Sequence, residues 1–368
     1  MDPALERLVL NPSCRQGGSQ GGGSFYDPTS AAGRCLPNHA AFGKLVTQLG
    51  AVVAPPATHP ARTTGFGGYR FGIQANYTNI DSNASYWQQG TQGPKDEATG
   101  QDSVVNRDPA GIMQMYNVYL AKGFPFGLEL GAGFGFLANT EIISGGGDVR
   151  IAIFEGFRDS IPGFIPDVGV GGGVRTITGT SQLKLTVASL DAQISKPIPI
   201  AGTVTLHPHV GYQLLWIFGD SGLIDLTPNT DEVTACGYQG DNNPSLGVPV
   251  GGRGFDGQPN CSNSSADINN SVVFDRIHLV NRHRINFGMQ LRYQMVQFGL
   301  SFLTDVVSPL NANKSGDTII EDAPVDPTDP SGRTVLAPLN RLADDPRTPE
   351  DDEVKRQWTL SLELGAVF

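Results

Sequence analysis

The chain has 368 residues, a net charge of −11, only 17% charged residues and 39% hydrophobic ones. Its 47 glycines are about 13% of the chain, against a usual share of about 7%. Sparse charge and abundant Gly argue against a helix-rich soluble enzyme, because Glu and Lys dress helix surfaces and Gly weakens helices. No stretch of eighteen apolar residues occurs, so no transmembrane helix is expected, and the acidic balance excludes a nucleic-acid partner.

Residues 1–65 differ in pattern from the rest. Met1, Asp2 and Pro3 lack the basic start of a signal peptide, and the apolar stretch Ala40 to Val53 lies too far in to be one; a mature or trimmed start accounts for this. Residues 15–24 are rich in Gln, Gly and Ser. Ala40, Phe42, Leu45, Val46, Leu49 and Val53 fall at helical spacing, and Asn38 is placed to cap the helix. The spacing predicts a short helix over about 39–50, followed by a Pro-rich connector, Pro55 to Pro60. Two readings stay open: a small helix packed on something larger, or a plug inside a pore.

After Thr64 the period becomes two. In 282–293 the residues His283, Ile285, Phe287, Met289, Leu291 and Tyr293 alternate with Arg282, Arg284, Asn286, Gly288, Gln290 and Arg292. One face is apolar and the other polar. Ten such segments are expected: 66–81, 110–122, 126–140, 148–158, 166–180, 182–195, 202–219, 274–293, 295–306 and 355–368. Several exceed twelve residues, longer than the usual strand of about five or six. Two read less cleanly. In 182–195 the apolar phase flips after Val187, which suggests a bulge, and in 148–158 Glu155 falls on the apolar face.

The connections alternate in length. Every second one is short, while 82–109, 220–273 and 307–354 are long and the last two carry net charges of −6 and −7. Short turns on one side and long loops on the other mark a transmembrane β-barrel. The expected fold class is all-β: an antiparallel up-and-down barrel of about ten strands over 66–368, with 1–65 as a separate segment. The long loops are expected outside the cell, and the amino terminus in the periplasm or in the barrel.

The last strand places Trp358, Leu360, Leu362, Leu364, Ala366 and Phe368 on one face. An alternating row ending on a terminal Phe resembles the assembly signal of Gram-negative outer-membrane β-barrel proteins. The strict signal covers about the last ten residues, and the barrel-like pattern covers 66–368. The resemblance implies residence in the outer membrane of a Gram-negative bacterium. Its implied partners are lipid, lipopolysaccharide and the outer-membrane assembly machinery.

If the apolar face meets lipid, the other face lines the lumen. That set comprises Arg70, Gln74 and Asn76 on the first strand and Asn117 with Tyr119 on the second. Glu129, Arg175, Asp191 and Gln193 follow, then His207, His209 and Gln213. Arg282, Arg284, Asn286, Gln290, Arg292 and Glu363 complete it. Arg outnumbers the acids here. The arginines either favour anionic solutes in a pore or brace a solid interior, since buried charges must be paired or wet. His207 and His209 with Asp191 and Ser189 raise a Ser/His/Asp arrangement, but no nucleophile-elbow motif accompanies them and no third ligand makes them a metal site.

Cys14, Cys35, Cys236 and Cys261 sit in polar stretches without metal-binding CxxC spacing. They are expected to form the disulfides Cys14–Cys35 and Cys236–Cys261, in an oxidising compartment. The acids Asp225, Asp231, Glu232, Asp241, Asp256, Asp267 and 350–353 lack EF-hand spacing, so no metal and no cofactor is expected. Tyr77, Trp216 and Trp358 near one end and Tyr69, Tyr293 and Phe368 near the other fit two interfacial belts. The first functional expectation is a narrow or plugged channel for small solutes. The alternative is a structural or surface-display barrel, with other envelope proteins as partners. An outer-membrane hydrolase or acyltransferase ranks below both, and the chain is not expected to be an enzyme.

Overall fold

The computed structural model describes residues 1–8, 37–93, 106–154, 165–200, 202–225, 237–238, 259–260, 271–309 and 354–368. Ten long strands run in chain order: β1 Tyr69–Asn79, β2 Ile112–Gly123, β3 Leu128–Leu137, β4 Ile143–Phe154, β5 Asp167–Thr178, β6 Leu183–Ser195, β7 Val204–Ser221, β8 Ile277–Tyr293, β9 Val296–Asp305 and β10 Trp358–Val367. Each pairs antiparallel with its chain neighbours. β10 returns to β1, with Arg70 opposite Val367 and Thr78 opposite Thr359. The sheet therefore closes on itself and has no free edge, as a strand structure in lipid requires.

All ten expected strands are present. β4 starts at Ile143 rather than at 148, because its Ser-Gly-Gly-Gly stretch hides the alternation. The ladder of β6 continues past Lys196 and Pro197 into Ile198–Ile200 in unchanged register against β7, so that turn is tighter than expected. Glu155 lies outside the described residues.

The expected bulge near Val187 is absent. β6 alternates without interruption and keeps one register from Leu183 opposite Ser221 to Ser195 opposite His209. Leu183, Leu185 and Val187 are buried and face inward. Ala188, Leu190, Ala192 and Ile194 form the other face, and Leu190 and Ile194 are exposed on it. The apparent phase flip arises because the upper lumen wall is itself apolar.

The reason is the amino-terminal segment. Helix α1, His39–Val53, begins at Asn38, whose Oδ1 accepts from the Ala41 amide at 2.9 Å. Phe42, Leu45, Val46, Leu49, Val52 and Val53 are all buried. They form one core with Met113, Met115, Leu137, Leu183, Leu185, Val187, Leu215 and Ile217 from the inner wall. Gly50 sets how closely the helix approaches β7. A Cβ there would lie 2.6–2.9 Å from three carbons of Ile217, so only Gly fits.

The outer face is apolar. Ile73, Val118, Leu120, Phe134, Leu190, Phe287, Met289 and Leu364 are each 46–58% exposed. Tyr69, Tyr293 and Phe368 are exposed at the short-turn end, while Tyr77, Trp216 and Trp358 occupy the outward register toward the other end. Residues 1–8 are at the long-loop rim: Met1 bonds to the β3–β4 connection and Leu5 to Gln182 in the β5–β6 turn. Against the expectation of an amino terminus in the periplasm or in the barrel, residues 1–8 lie over the rim at the long-loop end, and the chain reaches that rim before it descends.

A filled and cross-braced lumen

The lumen has two halves of opposite character. In the half near the long loops, α1 packs on the apolar inner wall described above. A polar seam fastens one side of it. Arg282 Nη1 donates to the Thr47 carbonyl at 2.8 Å and to Gln357 Oε1 at 2.7 Å, and its Nη2 contacts Asp305. Asp305 also accepts from the Gln357 amide at 2.7 Å and lies 4.0 Å from Arg284 Nε. Arg284 Nη2 donates to Thr359 Oγ1 at 2.6 Å. These charges are buried, so their pairing is what makes them tolerable.

In the other half, residues 54–64 descend to β1 as an extended strand of chain held from several walls. Gln213 Nε2 donates to the Pro55 carbonyl and Asn286 Nδ2 to the Ala57 carbonyl, each at 2.8 Å. His59 Nε2 lies 3.6 Å from Asp191 Oδ2, and Arg62 Nε lies 3.2 Å from Asp167 Oδ2. The Ala61 amide donates to Ser195 Oγ at 3.1 Å, and the Thr64 amide to Glu129 Oε2 at 2.8 Å. Backbone groups that would otherwise be unpaired inside the barrel thus find side-chain partners from the wall.

Glu129 also gathers Arg70, at 3.4 Å, and Arg150, in closer contact. Tyr119 Oη donates to Asp148 Oδ2 at 2.8 Å, and the Arg70 guanidinium sits 4.9 Å from the centre of the Tyr119 ring. Gly131 makes room for this contact, because a Cβ there would fall 2.2 Å from Tyr119 Oη. Arg175 approaches Asp148 at 3.7 Å. Glu363 accepts from Gln74 at 3.1 Å and from Gln297 at 2.7 Å. A cavity of about 20 Å³ remains between this cluster and Pro55, Pro56 and His59, enough for about one water.

Arg70, Gln74, Asn76, Asn117, Glu129, Arg175, Asp191, His207, His209, Gln213, Arg282, Arg284, Asn286, Gln290 and Glu363 are buried on the inward register. Arg292 differs. It is exposed at the short-turn rim, and its Nε donates to the Gln294 carbonyl at 3.1 Å. It lies only two residues from the turn, beyond the filled lumen.

The His, Ser and Asp candidates do not converge. Asp191 stands opposite Gln213 in the ladder and approaches His59, Ser189 Oγ contacts the Gly173 carbonyl at 3.5 Å, and His209 Nε2 lies 3.3 Å from Ser301 Oγ. Sequence reasoning passed over Arg150, Asp148, Asp167, Asp305 and Gln357. Strict alternation within β4 and β9 places Arg150, Asp148 and Asp305 on the inner face. Alternation in β5 likewise places Asp167, its first residue, on the inner face, whereas Gln357 precedes β10 and carries no such signal.

Cys14, Cys35, Cys236 and Cys261 lie outside the described residues. The described residues around each pair are adjacent: the Asn38 amide donates to the Leu8 carbonyl at 2.8 Å, and Gly237 stands opposite Asn260. The acids from Asp231 to Asp267 and at 350–353 are likewise outside the described residues.

No protein-family model matches the sequence, and no curated protein is significantly similar to it. Among solved structures the chain is similar to Ail, the attachment invasion locus protein of Yersinia pestis. The identity is 8% and the TM-score 0.21, over 82% of this chain and 99% of that one. It is similar to the outer membrane protein OprG of Pseudomonas aeruginosa at 9% identity and TM-score 0.24, over 83% and 98% of the two chains. A third likeness is to the translocator domain of the autotransporter NalP of Neisseria meningitidis, at 10% identity and TM-score 0.26, over 89% and 96%. At these scores none of the likenesses bears on what the chain does. Its own wall is decisive for placement. A closed antiparallel barrel with an apolar outer belt, short turns at one end and long connections at the other is an outer-membrane β-barrel.

Proposed function

We propose that this outer-membrane barrel is plugged: residues 38–64 hold its lumen shut, and its work is done at the long-loop end rather than along a diffusion path. The observation that carries this reading is the continuous filling of the lumen, from the Asn38 cap to the Thr64 amide on Glu129. The apolar half favours a fixed plug over a gate. Six buried apolar side chains on α1, at roughly 1.5–3 kcal/mol each, contribute on the order of 10 kcal/mol. Displacing the helix would forfeit this burial, which works against its leaving the lumen, although the released chain regains conformational entropy.

A solute channel is the second reading. The cavity lined by Arg70, Arg150 and Arg175 favours it, as the place where displaced residues 54–59 would uncover a basic vestibule. Planar-bilayer recording separates the two. The full chain, inserted and folded, should give no persistent conductance steps. Stable open steps at moderate voltage would replace the plugged scaffold with the channel. The outward row from Trp358 to Phe368 supports the assembly machinery as a partner in either case.

A further inference from the structure

The path of the chain through the barrel has a topological consequence for its amino-terminal end. Residues 1–8 are anchored over the long-loop rim by several separate elements. The Met1 amine donates to the Asn139 carbonyl at 2.8 Å, and the Glu141 amide donates to Asp2 Oδ1 at 2.7 Å, both in the β3–β4 connection. Pro3 bridges Thr91, and the Ala4 amide donates to the Gly90 carbonyl at 2.9 Å. The Leu5 amide donates to Gln182 Oε1 at 2.8 Å. Ala4, Leu5 and Leu8 are at most 1% exposed, so this is a packed cap and not a loose tail.

From that rim the only described route to β1 is down the lumen. Helix α1 is about 22 Å long, at about 1.5 Å per residue. Residues 54–64 continue to the short-turn end, where the Tyr69 amide and carbonyl pair with Phe368. The chain therefore crosses the membrane once inside the barrel before the wall begins.

We propose that this barrel carries its own amino-terminal end to the cell surface through the lumen and holds it there, so that anything joined ahead of Met1 is presented outside the cell. The inference rests on the reading above that the long-loop end faces outward. Outward presentation of the amino terminus would add residues 1–8 to the working face.

Epitope tags test it in intact Gram-negative cells. One tag precedes Met1 behind a Gly/Ser spacer, a second follows Ser264 in the 220–273 loop, and a third follows Gln294 in the β8–β9 turn. Heat-modifiable gel mobility confirms that each tagged protein is folded. The expected result is antibody binding to the Met1 and Ser264 tags on intact cells, with the Gln294 tag reached only after permeabilisation. Binding to the Ser264 tag with the Met1 tag hidden would overturn the inference and leave the orientation standing. Binding to the Gln294 tag with the Ser264 tag hidden would overturn the orientation, and the inference with it.

Discussion

Met289→Arg should sharply reduce assembly of the barrel into membranes. Met289 points outward, 46% exposed, in register with Pro208 on β7 and Leu300 on β9. Leu300 is in register with Leu362, and Leu362 with Ala75 in the middle of β1. The side chain therefore lies inside the apolar belt, three residues in from the exposed Arg292. An Arg on the lipid face costs roughly 2–4 kcal/mol at the midplane and less toward the rims. Gln290→Ala, one residue on, changes the buried inner face and leaves the belt intact, so it should lower folding yield by less. Yields of the two variants, read from heat-modifiable gel mobility, check this. Equal yields would mean that the faces of this strand are wrongly assigned.

Asp305→Asn should destabilise the folded protein by about 3–5 kcal/mol, the usual cost of breaking a buried ion pair from one side. The Asp305 carboxylate is shared by Arg282 and Arg284, whose side chains are 0% and 2% exposed. An Asn keeps the volume and one acceptor but no charge, so two buried guanidiniums would lose their common counterion. The same substitution loosens Arg282, which bonds the Thr47 carbonyl of the plug helix. Arg62→Gln is the contrasting case. Its side chain is 30% exposed, against 2% for Asp167, so solvent screens this pair in part and the substitution should cost less than Asp305→Asn. Denaturant midpoints of the reconstituted variants report the difference. An unchanged midpoint for Asp305→Asn would show that the seam is wet rather than buried.

The wall was legible in the sequence because lipid imposes one simple demand on it. Each strand must keep apolar residues on every second position for its whole length. β1, β8 and β10 meet that demand and could be placed to within a few residues. The lumen was legible only where it is polar. Arg284, Asn286 and Glu363 stand out because they alternate with apolar neighbours. Leu183, Leu185, Val187, Leu215 and Ile217 face inward too, but their partner is a helix more than a hundred residues away in sequence. With apolar groups on both faces the alternation vanishes, and a regular strand looks like a bulged one. The helix itself was legible from its spacing and from Asn38. Its position was not, because nothing local says which surface will cover an amphipathic helix. Contacts such as Arg282 on Thr47 arise only once the barrel has closed around the segment, so pairwise spacing in the sequence carries no trace of them.

A pair of cysteines placed between the plug and the wall tests the central claim most directly. A Cβ built on Gly50 falls within 2.9 Å of three Ile217 side-chain carbons. Gly50→Cys combined with Ile217→Cys therefore puts two thiols within bridging reach, since bonded Cβ atoms lie about 3.5–4.5 Å apart. The account predicts that mild oxidation of the membrane-embedded variant gives a cross-linked peptide joining residues 50 and 217, identified by mass spectrometry. Folded, oxidised protein with both of these thiols still free would mean that the helix does not occupy the lumen, and would contradict the account.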